Sequence, residues 1–101
     1  MRTLTFAPRA LRDLEAIRLW FHQPGAGQRA DRRFGKIRAA IDRLIEHPCL
    51  FPVADHPGRR EMTCERHRVI YRVQPDTGLS ATAGDVLVLR VFGPGQSRAD
   101  L

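Results

Sequence analysis

The side chains of this chain that could do chemistry are mostly arginines within short apolar runs. Arg68 and Arg72 lie four positions apart in a run of β-branched and aromatic residues, so they share one face of a predicted strand. Arg60 and Arg90 lie in neighbouring runs and could complete one basic sheet face. A guanidinium stays charged and binds phosphate or carboxylate oxygens. The pattern predicts either a surface for an anionic partner or a solvated face with weak ion pairs.

Candidates for proton transfer are fewer. Glu61 is the one carboxylate in the predicted strands that is well placed to act as a base, and its alternative role is to pair with a cross-strand arginine. Tyr71 could be a catalytic phenol, or it could bury its ring and leave its hydroxyl exposed to solvent. Two histidine–cysteine pairs fit none of the usual zinc spacings, so we expect no metal and no cofactor. These pairs are His47-x-Cys49 and Cys64-x-x-His67.

Hydrophobic periodicity predicts the elements that hold these residues. Residues 3–6 alternate as a half-buried strand does, and apolar stripes at helical spacing predict two helices. The helices span residues 8–22 and about 28–46, and further strands span 59–63, 66–73 and 85–92. In the loop between residues 49 and 58 we expect Leu50, Phe51 and Val53 to contact the core. The order β-α-α-β-β-β predicts one α+β domain over residues 1–101, an antiparallel sheet covered on one face by a helical hairpin.

Length and charge restrict the class of protein. The chain has 101 residues, 43% of them hydrophobic, and carries a formal net charge of +6. All but one of its 17 basic side chains are arginines, and this excess predicts an anionic partner, either nucleic acid or an acidic protein. Nothing in the sequence is typical of a signal peptide or a membrane span. We therefore expect a cytoplasmic protein whose two cysteines are reduced.

Four segments in this order resemble the RelE/ParE superfamily of type II toxin–antitoxin toxins. The opening from Ala7 to Ile17 is similar to the family's, with a proline that starts the helix and an Asp-Leu pair in its second turn. Residues 34–48 resemble the family's second helix and its proline stop. Residues 68–73 resemble the central strand, and residues 88–92 resemble the last strand. The resemblance covers nearly the whole chain and implies the family's fold.

The resemblance implies one of two activities. RelE-like members are ribosome-dependent mRNA endonucleases, whereas ParE-like members bind DNA gyrase and block replication. A nuclease needs a base and an acid, which arginine cannot supply because it stays protonated. Nuclease members commonly keep a His or Tyr after the last strand, where this chain has Gly93-Pro94-Gly95-Gln96-Ser97. The residues favour a ParE-like toxin that is not an enzyme. The alternatives are a RelE-like endoribonuclease and a toxin that has lost its toxicity and acts as a co-repressor.

Each activity implies its own set of residues. A gyrase-binding toxin would use the last strand and the tail, and the predicted contacts are Arg90, Phe92, Gln96, Ser97 and Arg98. A nuclease would hold the phosphate with Arg60, Arg68 and Arg90. Glu61 or His67 would then transfer the protons.

Every one of these alternatives implies a partner protein. The excess positive charge predicts an acidic, partly disordered antitoxin that folds on binding and forms a hetero-oligomer with this chain. Leu19 and Trp20 flank Phe21, and the three cannot all face inward, so we expect exposed apolar area at the end of the first helix. The predicted antitoxin-binding residues are Leu19, Trp20, Arg68 and Arg72. Operator DNA would be reached only through the antitoxin, and no membrane is involved.

Overall fold

The computed structural model describes residues 2–25, 27–55 and 58–94 of the chain. Helix α1 spans Pro8–Phe21 and helix α2 spans Gly27–Asp42. Pro8 occupies the first turn of α1, where its missing N–H costs no hydrogen bond. The predicted stripe is confirmed, since α1 buries Ala10, Leu14, Ile17 and Phe21. Neither helix in the described ranges combines the length and the hydropathy needed to cross a lipid bilayer.

Four strands form one sheet in the order β1-β4-β3-β2. The strands are β1 (Leu4–Phe6), β2 (Arg60–Cys64), β3 (His67–Gln74) and β4 (Asp85–Phe92). The α+β class and the β-α-α-β-β-β order are confirmed. The expectation of a purely antiparallel sheet is wrong in one pairing, because β1 runs parallel to β4. A parallel pair needs a long crossover connection, and the two helices and strands β2 and β3 supply it.

The second helix is shorter than predicted. Regular α-helix ends at Asp42, and the chain tightens into a short 3₁₀ turn (Arg43–Ile45) before Pro48. Such tightening is common at the end of an α-helix, where the last carbonyls lack intrahelical partners. Leu44 in this turn is fully buried, so the tighter turn still extends the apolar stripe of α2 toward the sheet.

The helices cover one face of the sheet. Alternate residues of β3 and β4 face them and form the core with the buried side chains of both helices. These sheet residues are Val69, Tyr71, Val73, Val86, Val88 and Val91. The register shifts by one residue at Leu89, because Ile70 pairs with Arg90 while Tyr71 pairs with Val88. This bulge puts Val91 on the core side and displaces Arg90 from the strict alternation, as bulges generally do.

The loop that precedes β2 differs from the prediction. Phe51 packs against the core as expected, whereas Leu50 and Val53 leave 67% and 60% of their surface exposed. The reason is backbone pairing with the edge of β2. Glu61 N–H donates to the Pro52 carbonyl at 3.1 Å, and Val53 forms a bridge with Arg60. This pairing places the loop beside the sheet edge rather than over the core.

Candidate functional site

A buried ion pair joins α1 to β4. Arg90 donates from Nε to Asp13 Oδ2 at 2.8 Å and from Nη2 to Oδ1 at 3.2 Å. Asp13 Oδ2 also accepts the backbone N–H of Val91 at 2.9 Å. The guanidinium carbon of Arg90 lies 4.6 Å from the centre of the Phe92 ring. Arg90 therefore fastens the last strand to the first helix and does not present its charge to a ligand.

Arg60 makes a second ion pair on the helix-covered side of the sheet. It lies opposite Tyr71 in the register and binds both carboxylate oxygens of Asp76 at 2.8 and 2.9 Å. A further N–H of Arg60 donates to the Phe51 carbonyl at 2.6 Å. The prediction that Arg60 shares one basic face with Arg68 is therefore wrong. Its partner Asp76 lies sixteen residues away in the loop between β3 and β4.

The Arg60–Asp76 pair predicts a defined pH dependence of stability. The Arg60 hydrogen bonds hold the pKa of Asp76 below its ordinary value. A lowered folded pKa adds stability that is present above the unfolded value of about 4 and is lost as the pH falls through the folded pKa. We expect Asp76→Asn to unfold more easily than the parent near neutral pH, with the difference shrinking as the pH falls below about 4 and through the lowered pKa of Asp76. Urea denaturation across this pH range measures the difference.

The control for this prediction is Asp42→Asn, a carboxylate that is exposed at the end of α2. Its free energy of unfolding should track that of the parent at every pH. A difference for Asp76→Asn that does not change with pH would contradict the prediction, because the loss would then arise from packing rather than from charge.

Tyr71 has a structural role. Its side chain is fully buried, and its hydroxyl donates to the Pro48 carbonyl at 2.8 Å. Burial raises the pKa of this phenol well above its ordinary value. The hydroxyl therefore anchors Pro48, which follows the 3₁₀ turn, to strand β3. It is not placed to donate or accept a proton from a bound substrate.

The face of the sheet opposite the helices carries two of the predicted arginines. Arg68 and Arg72 share this face, as their spacing predicts, with Arg72 exposed and Arg68 half-buried. The Arg68 guanidinium carbon lies 6.0 Å from the centre of the Phe92 ring. Ile70 lies between the two arginines in β3. This face is thus basic at its surface and apolar in its middle.

The five residues predicted for a nuclease are not gathered at one point. Arg60 and His67 belong to the helix-covered side, while Glu61 pairs with Ile70 on the other side. Neighbours along a strand point to opposite faces, so Glu61 cannot act beside Arg60. His67 is 2% exposed, and its Nδ1 lies 2.7 Å from the Glu65 carbonyl oxygen. Arg90 is engaged with Asp13. Glu61 and Arg68 share the face opposite the helices, so the five residues are divided between the two faces of the sheet.

The turn between β2 and β3 is strained. Glu65 and Arg66 both adopt positive φ, at 49° and 64°. Two-residue turns of this kind normally take Asn-Gly, since a side chain at positive φ is unfavourable. Such strain costs about 1–3 kcal/mol at each residue and concentrates at functional sites. The turn projects the exposed Arg66 toward α1 and leaves Glu65 3.4 Å from the Arg33 guanidinium.

A cleft of about 440 Å³ opens where this turn, α1 and the end of β4 meet. Its floor is apolar, with Ile17 and Val91, and Trp20 stands at its rim with 59% of its surface exposed. Arg33 and Arg66 also line the cleft and supply positive charge. The complete lining is Asp13, Ala16, Ile17, Trp20, Arg33, Arg66, His67, Val91, Gly93 and Pro94. An apolar cleft with cations at its edge fits a peptide that carries both apolar and acidic side chains.

The structure locates part of the predicted partner-binding set. Leu19 and Trp20 are exposed, by 57% and 59%, so the prediction of exposed apolar area at the end of α1 is confirmed. Arg90 and Phe92 are buried, by contrast, at 8% and 0% exposure. The remaining predicted gyrase contacts fall outside the described residues. They are Gln96, Ser97 and Arg98.

Sequence reasoning missed the acidic partners. Asp13 follows Ala10 by three residues and precedes Leu14, so it lies within the inward stripe of α1. A carboxylate in such a stripe is rarely buried unless it is paired, and this signal predicts a partner for Asp13. Asp76 gave no comparable signal because it lies in an aperiodic loop. In the described ranges, no three His, Cys, Asp or Glu side chains come close enough together to hold a metal ion.

Comparisons of the sequence and of the fold with known proteins indicate the family. The family model described as "ParE toxin of type II toxin-antitoxin system, parDE" matches residues 4–95. A solved structure described as the chromosomal ParDE TA system from P. aeruginosa shares the fold, with a TM-score of 0.70 at 19% sequence identity. That alignment covers 93% of this chain and 97% of the other. A search of curated proteins finds no match. Because the family model matches nearly the whole sequence, the chain belongs to the ParE toxin family of type II toxin–antitoxin systems.

Proposed function

We propose that this protein arrests growth by binding DNA gyrase and stalling it on DNA, and that an acidic antitoxin neutralises it by binding. Membership of the ParE family supports this activity over RNA cleavage. The observation that carries the proposal is that the candidate nuclease residues are divided between the two faces of the sheet, and that only Glu61 and Arg68 among them share the face opposite the helices. Arg60 and Arg90 are each held by a carboxylate, and His67 and Glu61 belong to opposite sides of the sheet.

Cleavage of RNA would need a different arrangement. A base must reach a 2′-hydroxyl while a cation stabilises the crowded phosphate on the same face. Among the side chains that the structure describes, Tyr71 is buried with its hydroxyl engaged and His67 is nearly enclosed. A toxin that acts by binding a protein target needs no group that transfers a proton. The structure therefore supports a binding toxin better than an endoribonuclease.

The proposed gyrase contact lies at the C-terminal end of the chain. Arg90 and Phe92 are used within the fold, where Arg90 binds Asp13 and the Phe92 ring is covered. We therefore assign the contact to the residues after Pro94, and among the predicted set these are Gln96, Ser97 and Arg98. The Arg90–Asp13 pair holds β4 against α1, and the proposed contact residues follow β4 in the sequence.

The proposed antitoxin surface has two parts. One is the cleft at the end of α1, where Leu19 and Trp20 expose apolar area beside Arg33 and Arg66. The other is the face of the sheet opposite the helices, which carries Arg68 and Arg72. A disordered acidic segment could cover both, because a chain that folds on binding can follow a large surface. The apolar area would contribute affinity, and the arginines would select acidic partners and speed their association.

Two assays with the full-length chain separate the activities. Added to gyrase and relaxed plasmid, the chain should inhibit supercoiling and accumulate cleaved DNA, and equimolar antitoxin should prevent both effects. Primer extension on ribosome-bound mRNA should show intact transcripts. Cleavage within codons together with normal supercoiling would overturn the gyrase proposal in favour of the endoribonuclease. Inactivity in both assays would favour a co-repressor.

Trp20→Ala tests the antitoxin surface. A half-exposed tryptophan at the rim of an apolar cleft is a typical binding hot spot, and its removal should cost about 2 kcal/mol, or roughly thirtyfold in Kd. Isothermal titration calorimetry with the cognate antitoxin measures the change. Leu50→Ala is the matched control, since Leu50 is an exposed apolar residue away from the cleft. Equal losses for the two variants would contradict the assignment of the cleft.

A further inference from the structure

One face of α2 carries four cations within two helical turns. Arg29, Arg32, Arg33 and Lys36 follow one another at steps of three, one and three, which places them side by side on a helix. We call these four residues the α2 basic face. Arg29, Arg32 and Lys36 are exposed, and Arg33 is half-buried. They line a shallow depression whose one remaining described lining residue is Glu65.

The α2 basic face destabilises its own helix. Arg29 repels Arg32 and Arg33, and Lys36 repels the same two, because residues three and four apart are neighbours on a helix. The first turn of α2 contains no acidic side chain, although the helix dipole favours acids there and disfavours cations. Glu65 compensates only at Arg33, at 3.4 Å. Arg33 contacts Glu65 and the Phe21 ring within the fold. In the part of the chain that the structure describes, Arg29, Arg32 and Lys36 form no ion pair, so their clustering points to an external anion.

We propose that the α2 basic face binds the phosphate backbone of duplex DNA directly. The described residues that line the depression are all charged, whereas a peptide partner would need an apolar anchor of the kind that Trp20 supplies in the neighbouring cleft, which shares Arg33 with this face. The described lining also lacks an aromatic side chain on which an unpaired base could stack, which disfavours a single-stranded ligand. Protein surfaces that bind duplex DNA are typically polar and strongly positive.

The dimensions of the face suit a duplex strand. Arg29 and Lys36 are seven residues apart, so they are separated by about 10 Å along the helix axis. If α2 lay along the duplex, this distance would correspond to roughly three phosphates of one strand, which follow one another about every 3.4 Å of the duplex axis. An arginine guanidinium can donate two hydrogen bonds to the oxygens of one phosphate, and a lysine ammonium contributes a point charge. The choice of DNA over duplex RNA rests on the proposed function, because gyrase acts on DNA. The toxin would then contact DNA itself, in contrast to the expectation that DNA is reached only through the antitoxin.

The test is fluorescence anisotropy of the full-length chain with a labelled 20-base-pair DNA duplex of arbitrary sequence, titrated at several salt concentrations. The parent should bind with a salt slope near −3.6, since each neutralised phosphate contributes about −0.9. The variant Arg29→Gln/Arg32→Gln/Lys36→Gln should lose about 2.7 of that slope and bind at least about tenfold more weakly at low salt. Arg33 is retained because it contacts Glu65 and the Phe21 ring.

The matched control is Arg9→Gln/Arg12→Gln/Arg43→Gln, which removes the same charge from exposed residues elsewhere. It should keep most of the parent's slope. The α2 variant should unfold at no lower temperature than the parent, because like-charge repulsion is relieved, so weaker binding would not reflect misfolding. Equal losses in both variants would overturn the proposal, since only net charge would then matter. The absence of measurable binding by the parent at low salt would also overturn it.

Two further ligands, tested in the same anisotropy assay, identify the class of anion that the α2 basic face binds. A polyglutamate peptide or an RNA duplex that binds as tightly as the DNA, with the same loss in the α2 variant, would overturn the choice of duplex DNA. Supercoiling inhibition is measured in parallel for the parent. Binding of duplex DNA through the α2 basic face without inhibition of gyrase would support this proposal while contradicting the proposed function.

Discussion

Replacing Asp13 with alanine is expected to lower the free energy of unfolding by about 3 kcal/mol. The change leaves the Arg90 charge without its bidentate carboxylate and removes the acceptor of the Val91 N–H, in a place where the two side chains retain only 15% and 10% exposure. Removing one partner of a buried pair costs far more than the pair contributes, because the remaining charge stays desolvated. Urea denaturation of the purified chain measures the loss.

The control for Asp13 is Glu15→Ala, on the same helix two residues away. Glu15 pairs with Arg18 at the surface, where water screens the ion pair and its removal should cost little stability. The double variant Asp13→Leu/Arg90→Met should recover part of the loss, because it removes both charges together. Should Asp13→Ala and Glu15→Ala cost the same, the buried pair would not hold α1 against β4 in the way described.

A chain that ends at Pro94 is expected to lose growth arrest completely while its affinity for the antitoxin is unchanged. Of the residues proposed to contact gyrase, Arg90 and Phe92 are buried within the fold, so the contact falls on residues that this truncation removes. The proposed antitoxin cleft is lined by described residues up to Pro94 and is retained. Growth after induction and calorimetry with the antitoxin measure the two properties separately.

A further variant separates the effect of the length of residues 95–101 from the effect of their side chains. A chain whose residues 95–101 are replaced by glycine and serine keeps the length, and it should be as inactive as the truncated chain if side chains make the contact. Thermal unfolding of each variant checks that the domain is intact. Growth arrest by the truncated chain would show that the gyrase contact lies within residues 1–94 instead.

Much of the fold follows from local pattern. The stripe of Ala10, Leu14, Ile17 and Phe21 predicts α1, and the apolar run at residues 85–92 predicts β4 with the bounds that the structure has. These predictions succeed because helix and strand periodicity depend on residues close in sequence. The sequence did not predict the parallel pairing of β1 with β4, because a three-residue strand carries no information about which strand it joins.

The candidate site was predictable only in part. Trp20 and Leu19 were found from sequence, because three successive apolar residues on a helix cannot all be buried. Arg68 and Arg72 were correctly placed on one face by their spacing in a strand without a bulge. The cleft was not predicted, since its lining comes from α1, α2, the turn at Arg66 and the end of β4. That convergence depends on how the helices pack on the sheet.

The sequence by itself determined the family, the order of the elements and an excess of positive charge, which predicts an anionic partner. Only the tertiary structure decided which cations are available to that partner. Arg90 is neutralised by Asp13, 77 residues away, after a bulge at Leu89 that no sequence pattern marks. Arg60 is neutralised by a loop carboxylate. Charge neutralisation acts through space at a few ångströms, so it depends on contacts between residues that are distant in the chain.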